Sequence, residues 1–270
     1  DKKSTFYWSE LLREIHQSKC NKIIISNEHF CNFAQDKCCS DLVLLIKEYL
    51  SEFDVRIIFY LRRIDSYFLS WFNQIVKMGK HSIPFEQYYN NFLKSESFHL
   101  FQSKILDIWS KYFGENNISV YSFDEIRKKN CSIVQHFMNI VLKTDVKPDY
   151  SQDITNQSIN YKDINFKLLC NIINKSVENN KINMQMLIKN YSKYLNSIDN
   201  YALSEINIIR DLWEDIAYIS NKYLKVYADI CLDKEKSQIC KTKILNMLNG
   251  RKEHEHLLLE TLIKASKINA

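Results

Sequence analysis

Two hydrophobic rhythms alternate along the first 145 residues. Short runs of consecutive apolar, β-branched residues mark strands, and longer stretches with apolar residues three and four apart mark helices. "FYWSELLREIHQSK" (6–19) places Phe6, Leu11, Leu12 and Ile15 on one helical face. "NKIIISNEHF" (21–30) follows, and its Ile23–Ile25 run predicts a buried strand ending at Ser26. "CSDLVLLIKEYLSEF" (39–53) predicts a helix with Ser40 or Asp41 as N-cap. "DVRIIFYL" (54–61) predicts the next strand. "DSYFLSWFNQIVKMG" (65–79) predicts a helix capped by Asp65 and ended by Gly79. Helices are expected over 82–95 and 97–114, a strand over "NISVYSF" (117–123), and a further helix over 132–142.

Strands that alternate with helices across short loops predict an α/β fold with a mostly parallel sheet flanked by helices. Ligands of such sheets lie beyond the carboxyl ends of the strands. Three segments therefore matter: Ser26–His29, Arg62–Asp65 and Ser122–Glu125. From about residue 160 onward only helical periodicity remains, so the expected division is an α/β core over 1–160 and a helical C-terminal region over 161–270. The stretch "YALSEINIIRDLWEDIAYISNKYLKVYADICL" carries enough apolar periodicity to bury a face against another subunit, so oligomerisation through these helices is an expectation.

Composition narrows the function. Apolar residues make up 46% of the 270, enough for a sizeable core, yet no stretch is long enough for a transmembrane helix. The first residues are polar and amphipathic, unlike a signal peptide. The net charge of +5 suits anionic ligands but not nucleic acid, whose binders are far more basic. Eight cysteines without CxxC spacing fit reduced thiols in a cytoplasmic protein; Cys231 and Cys240 would pair only in an exported one. The "HEH" at 254–256 reads as a solvated helix face, and no metal is expected. With only three glycines, the chain contains neither GxxxxGK[ST] nor GxGxxG.

Candidate chemistry centres on Arg62 and Ser70. Arg62 stands where a strand ends, and Ser70 stands eight residues on, about two turns into the next helix. A guanidinium presents a planar fork of donors to phosphate oxygens, and a hydroxyl adds one more. Together they can hold one phosphate at the strand-to-helix junction, where helix amides assist. The alternative is an Arg62 paired with a carboxylate such as Asp65 and a Ser70 that only faces a neighbouring helix. Lys77, Lys80 and His81 cluster after the Ser70 helix, where they could face an anionic acceptor but read better as a solvated helix end; "GRKEH" at 250–254 is a further basic segment, to which no role is given.

"YLRRIDSYFLSWFNQIVKMGK" resembles the 3′-phosphate-binding segment of the PAPS-dependent sulfotransferases, in which Arg-x7-Ser follows a central strand. PAPS is 3′-phosphoadenosine-5′-phosphosulfate, and PAP is its desulfated product. The likeness is to the bacterial glycan and capsule type. "IIISNEHF", "FEQYYNNFL", "NISVYSFDEIRKKNCSIVQHFMNIVL" and "NQSIN" (156–160) are similar to further segments of that family, so the resemblance covers roughly residues 6–175. It implies a P-loop-type parallel sheet, with PAPS as cofactor and a carbohydrate hydroxyl as sulfate acceptor. Arg62 and Ser70 would hold the 3′-phosphate and Glu28 would act as general base, with the neighbouring His29 as the other candidate. The family's 5′-phosphosulfate loop and its strand are absent from this sequence. Either upstream residues are missing, which the start at Asp1 rather than Met favours, or a degenerate relative has lost the loop. Transfer by the chain as written is expected to be weak or nil. The competing reading is a non-catalytic nucleotide- or glycan-binding relative within a larger capsule-assembly protein.

Overall fold

The computed structural model describes residues 2–27, 29–31, 37–79, 81–144, 164, 167–168, 170–171 and 207–244. Its elements are α1 (Lys2–Gln17), α2 (Lys37–Tyr49), β1 (Ile57–Leu61), α3 (Ile64–Lys77), α4 (Phe85–Lys94), α5 (Ser103–Phe113), β2 (Ile118–Ser122), α6 (Phe123–Lys128), α7 (Ile133–His136), α8 (Ile208–Asp211), α9 (Trp213–Lys222) and α10 (Tyr227–Leu232). A last described helix, α11, covers 234–244. The architecture is mostly helical, with one small parallel sheet, β1 beside β2, flanked by helices.

Two of the three expected strands form. Ile57–Leu61 and Ile118–Ser122 fall inside the predicted runs. Ile23–Ile25 does not: the segment has no regular structure, and its isoleucines are 38–55% exposed rather than buried. A β-branched run becomes a strand only where a neighbour accepts its ladder and a packed face covers it. Among the described residues Ile23–Ile25 has no such neighbour.

The chain divides into two compact units, 1–59 with 101–121, and 60–100 with 122–270. In the first, α2 packs on α5. Val43, Ile46 and Leu50 on α2 and its end, and Ile105, Leu106, Trp109 and Phe113 on α5, are buried at helical spacing. Trp8 of α1 stacks on Tyr49 at 5.8 Å between ring centroids, and Phe59 meets the edge of Trp109. Helix α2 begins at Lys37, so Ser40 and Asp41 lie within it rather than capping it.

The second unit is built on α3. Ile64, Phe68, Leu69, Phe72 and Val76 recur at three and four residues and form its buried stripe. Phe68, fully buried, is ringed by Phe85, Tyr88, Tyr89 and Phe92 of α4 at 5.4–5.9 Å. Offset and edge-on packing of this kind adds to the burial of each ring. The Trp71 indole donates to the Tyr88 hydroxyl at 2.8 Å, and the Tyr89 hydroxyl donates to Asp211 of α8 at 2.9 Å. At its far end α3 stops at Met78, and Gly79 takes φ +75°, a left-handed conformation that glycine adopts without strain. The Asn171 amide closes that end by donating to the carbonyls of Val76 and His81.

Candidate functional site

The strands run into the second unit at their carboxyl ends, and both ends turn directly into helices. Ser122 caps α6 by accepting the Glu125 amide. Arg63, not Asp65, occupies the N-cap position of α3, and Asp65 lies in the first turn. This shift has a chemical consequence. Asp65 is the partner of Arg63: Nε and Nη2 donate to its two oxygens at 2.8 and 2.9 Å. The Arg63 side chain is fully buried, and its remaining donors reach the carbonyls of Ile230 and Asp233 and the hydroxyl of Ser237. Every face of this guanidinium is thus met by an oxygen, as a buried cation requires.

Arg62, one residue earlier, has the opposite surroundings. It is half-buried, and its guanidinium carbon lies 5.5 Å from the centroid of Phe123. Among the described residues it meets no carboxylate. The pairing of Arg62 with Asp65 left open by the sequence is therefore not what forms. The backbone around Arg62 is held from two sides. The Tyr227 hydroxyl donates to the Arg62 carbonyl at 3.2 Å, and the Arg63 amide donates to Asp124 at 2.8 Å. Tyr227 is buried, and burial holds its hydroxyl well above the ordinary phenol range, so it remains a donor. Lys236 of α11 in turn reaches the second oxygen of Asp124 at 3.2 Å.

Ser70 lies on α3, half-buried, about 9 Å along the helix axis from Ile64. No side-chain hydrogen bond is made by its hydroxyl among the described residues. Arg62 and Ser70 thus share the second unit, and among the described residues Arg62 meets no carboxylate and the Ser70 hydroxyl makes no side-chain hydrogen bond. His29 belongs to the first unit, in a short 3-10 turn, exposed, with its amide donating to Asn27. Glu28 lies outside the described residues, as do Lys80, the "NQSIN" turn, the "GRKEH" segment and the "HEH" triplet.

Sequence reasoning singled out Arg62 but missed the network behind it. Arg63 and Asp124, which lie in strand-end segments the sequence marked, join Tyr227 and Lys236, which no local pattern marks, in holding the turn that presents Arg62. Nor does the cysteine pair carry chemistry. Cys231 and Cys240 are buried free thiols, pushed up to about 12 chiefly by burial, and so are protonated at neutral pH. Among the described residues no helix is long and apolar enough to cross a membrane, and no group of His, Cys, Asp or Glu side chains is arranged to hold a metal.

Set against known proteins, the chain matches no family model, no curated protein and no solved structure.

Proposed function

We propose that this chain is a PAPS-dependent sulfotransferase of the bacterial glycan type, built on a P-loop-type sheet of which β1 and β2 form part. Arg62 and Ser70 hold the 3′-phosphate of the nucleotide, and the acceptor is a carbohydrate hydroxyl. The observation that supports it most is the division of labour between adjacent arginines. Arg63 is consumed by Asp65 and the C-terminal helices, whereas Arg62, at the strand's carboxyl end, has no carboxylate partner among the described residues. A phosphate monoester suits such a guanidinium, whose planar fork of donors matches its oxygens. Amide donors at the start of α3 add less than the sequence suggested, because Asp65 already accepts the Ser66 amide.

PAPS would supply an activated sulfuryl group and leave as PAP. The work of the chain is to anchor the nucleotide through Arg62 and Ser70 and to take the proton of the attacking hydroxyl. Glu28 is the base assigned to that step, on the resemblance alone, and His29 is its alternative. A carboxylate whose pKa lies near working pH is suited to such a task.

Calorimetric titration of PAP into the chain, beside Arg62→Ala and Ser70→Ala and with AMP as control, tests this reading. PAP is expected to bind more tightly than AMP, and each substitution to remove that preference. Equal affinity for PAP and AMP, or indifference to both substitutions, would overturn it. PAP binding without sulfate transfer in a chain extended upstream would instead mark a non-catalytic nucleotide-binding relative.

A further inference from the structure

Among the described residues, five cations of this region make an ion pair or meet an aromatic ring, and three of them are ion-paired. Arg63 is bound to Asp65, Lys236 to Asp124, and Lys128 to Glu125 and Asp233. Each local carboxylate is thereby engaged. The two cations left over, Arg62 at the end of β1 and Arg127 on α6, meet the same aromatic ring. Their guanidinium carbons lie 5.5 and 5.6 Å from the centroid of Phe123. Among the described residues neither has a carboxylate within ion-pair distance.

Two guanidiniums on one ring lie no farther apart than their two centroid distances together. Like charges so placed repel, and a ring quadrupole offsets only part of that repulsion. A dianion between them turns the repulsion into attraction on both sides, and each guanidinium offers it a fork of donors. The ring restricts both side chains beforehand, which lowers the entropy lost on binding. Arg62 is half-buried and Arg127 is exposed, so both can be reached from solvent.

We propose that Arg127 is the second cation of the Arg62 site, and that the two guanidiniums gathered at Phe123 bind one phosphate monoester dianion. This rests on the reading of Arg62 as a phosphate ligand, and it adds β2's end to a site the sequence placed on β1 and α3 alone. The shared chemistry is a phosphate dianion, either the free ion or the 3′-phosphate of a nucleotide.

The test uses the full chain with arginine side chains labelled with 15N. Inorganic phosphate, PAP and AMP are titrated in turn while the Nε–Hε signals of Arg62 and Arg127 are followed. Both signals are expected to shift together with one dissociation constant. Arg127→Ala is expected to weaken phosphate and PAP about tenfold, and Arg127→Lys to restore only part, because an ammonium lacks the fork. Lys128→Ala, which removes an equally exposed neighbour already paired with Glu125 and Asp233, is expected to leave affinity within about twofold. Arg127 is exposed, so its loss leaves the fold intact. If Arg62→Ala abolishes PAP binding while Arg127→Ala stays within about twofold of the parent, the inference fails and the reading of Arg62 survives. If phosphate shifts both signals but PAP binds no more tightly than phosphate, the two-arginine anion site stands and the nucleotide reading fails. If neither phosphate nor PAP moves either signal, both fall.

Discussion

Arg63 and Asp65 form a two-pronged ion pair, closed over only two residues of sequence and 5% exposed or less at either member. The pair has no water to fall back on. Removing Arg63 leaves the Asp65 carboxylate buried and strips a donor from the carbonyls of Ile230 and Asp233. Arg63→Ala is therefore expected to destabilise the fold by about 3–5 kcal/mol, measured by urea denaturation. Arg62→Ala next to it should stay within about 1 kcal/mol, since it gives up a cation–π contact. The double variant Arg63→Met with Asp65→Leu should regain much of the loss, because no unpaired charge remains. Equal losses for Arg62→Ala and Arg63→Ala would contradict the division between a buried arginine consumed by its ion pair and a half-buried one outside it.

Phe68 sits at the centre of the ring cluster between α3 and α4. Phe68→Ala opens a cavity that four surrounding rings cannot fill, and it is expected to cost about 3–5 kcal/mol. Phe68→Leu, which keeps most of the volume, should cost markedly less. Thermal unfolding of the two variants distinguishes a rigid packed cluster from one that collapses into the space.

His99 is buried against Trp71, with ring centroids 4.6 Å apart, and its Nδ1 lies 3.2 Å from the Tyr67 hydroxyl. Burial lowers it to about 4, below the ordinary histidine value near 6.5. The folded state therefore holds fewer protons than the unfolded state between these values. Stability from this group is fully present above about pH 6.5 and is lost as pH falls toward about 4, a change on the order of 3 kcal/mol. His99→Phe should flatten the stability profile between about pH 6.5 and 5, before carboxylates titrate. An unchanged slope in that variant would show that His99 is protonated as easily folded as unfolded.

Cys231 and Cys240 are protonated and enclosed, while Cys20 is exposed. Alkylation of the native chain at neutral pH should label Cys20 rapidly and spare Cys231 and Cys240 until denaturant is added. Rapid native labelling of either buried thiol would mean that the α10–α11 region opens far more readily than its buried packing implies.

Most of the helices are legible in the chain before it folds, because helical spacing is a local property. Ile64, Phe68, Leu69, Phe72 and Val76 announce the buried face of α3 without reference to anything distant. The sequence also places Arg62 at a strand end and Gly79 at a helix stop. Ile23–Ile25 shows where local reading ends. Its β-branched run is genuine, but a strand also needs a partner ladder, and that belongs to the tertiary structure. The two arginines show the same limit more sharply. Side chains of adjacent residues in extended backbone point to opposite sides, so one of Arg62 and Arg63 had to turn inward. Only the arrival of Ile230, Asp233 and Ser237, some 170 residues along the chain, decided that it would be Arg63. The same long-range packing set Tyr227 against the Arg62 carbonyl and left Arg62 and Arg127 together at Phe123. Burial and pairing are sums over distant neighbours, so the folded chain alone determines which of several equivalent charges is consumed by an ion pair and which is not.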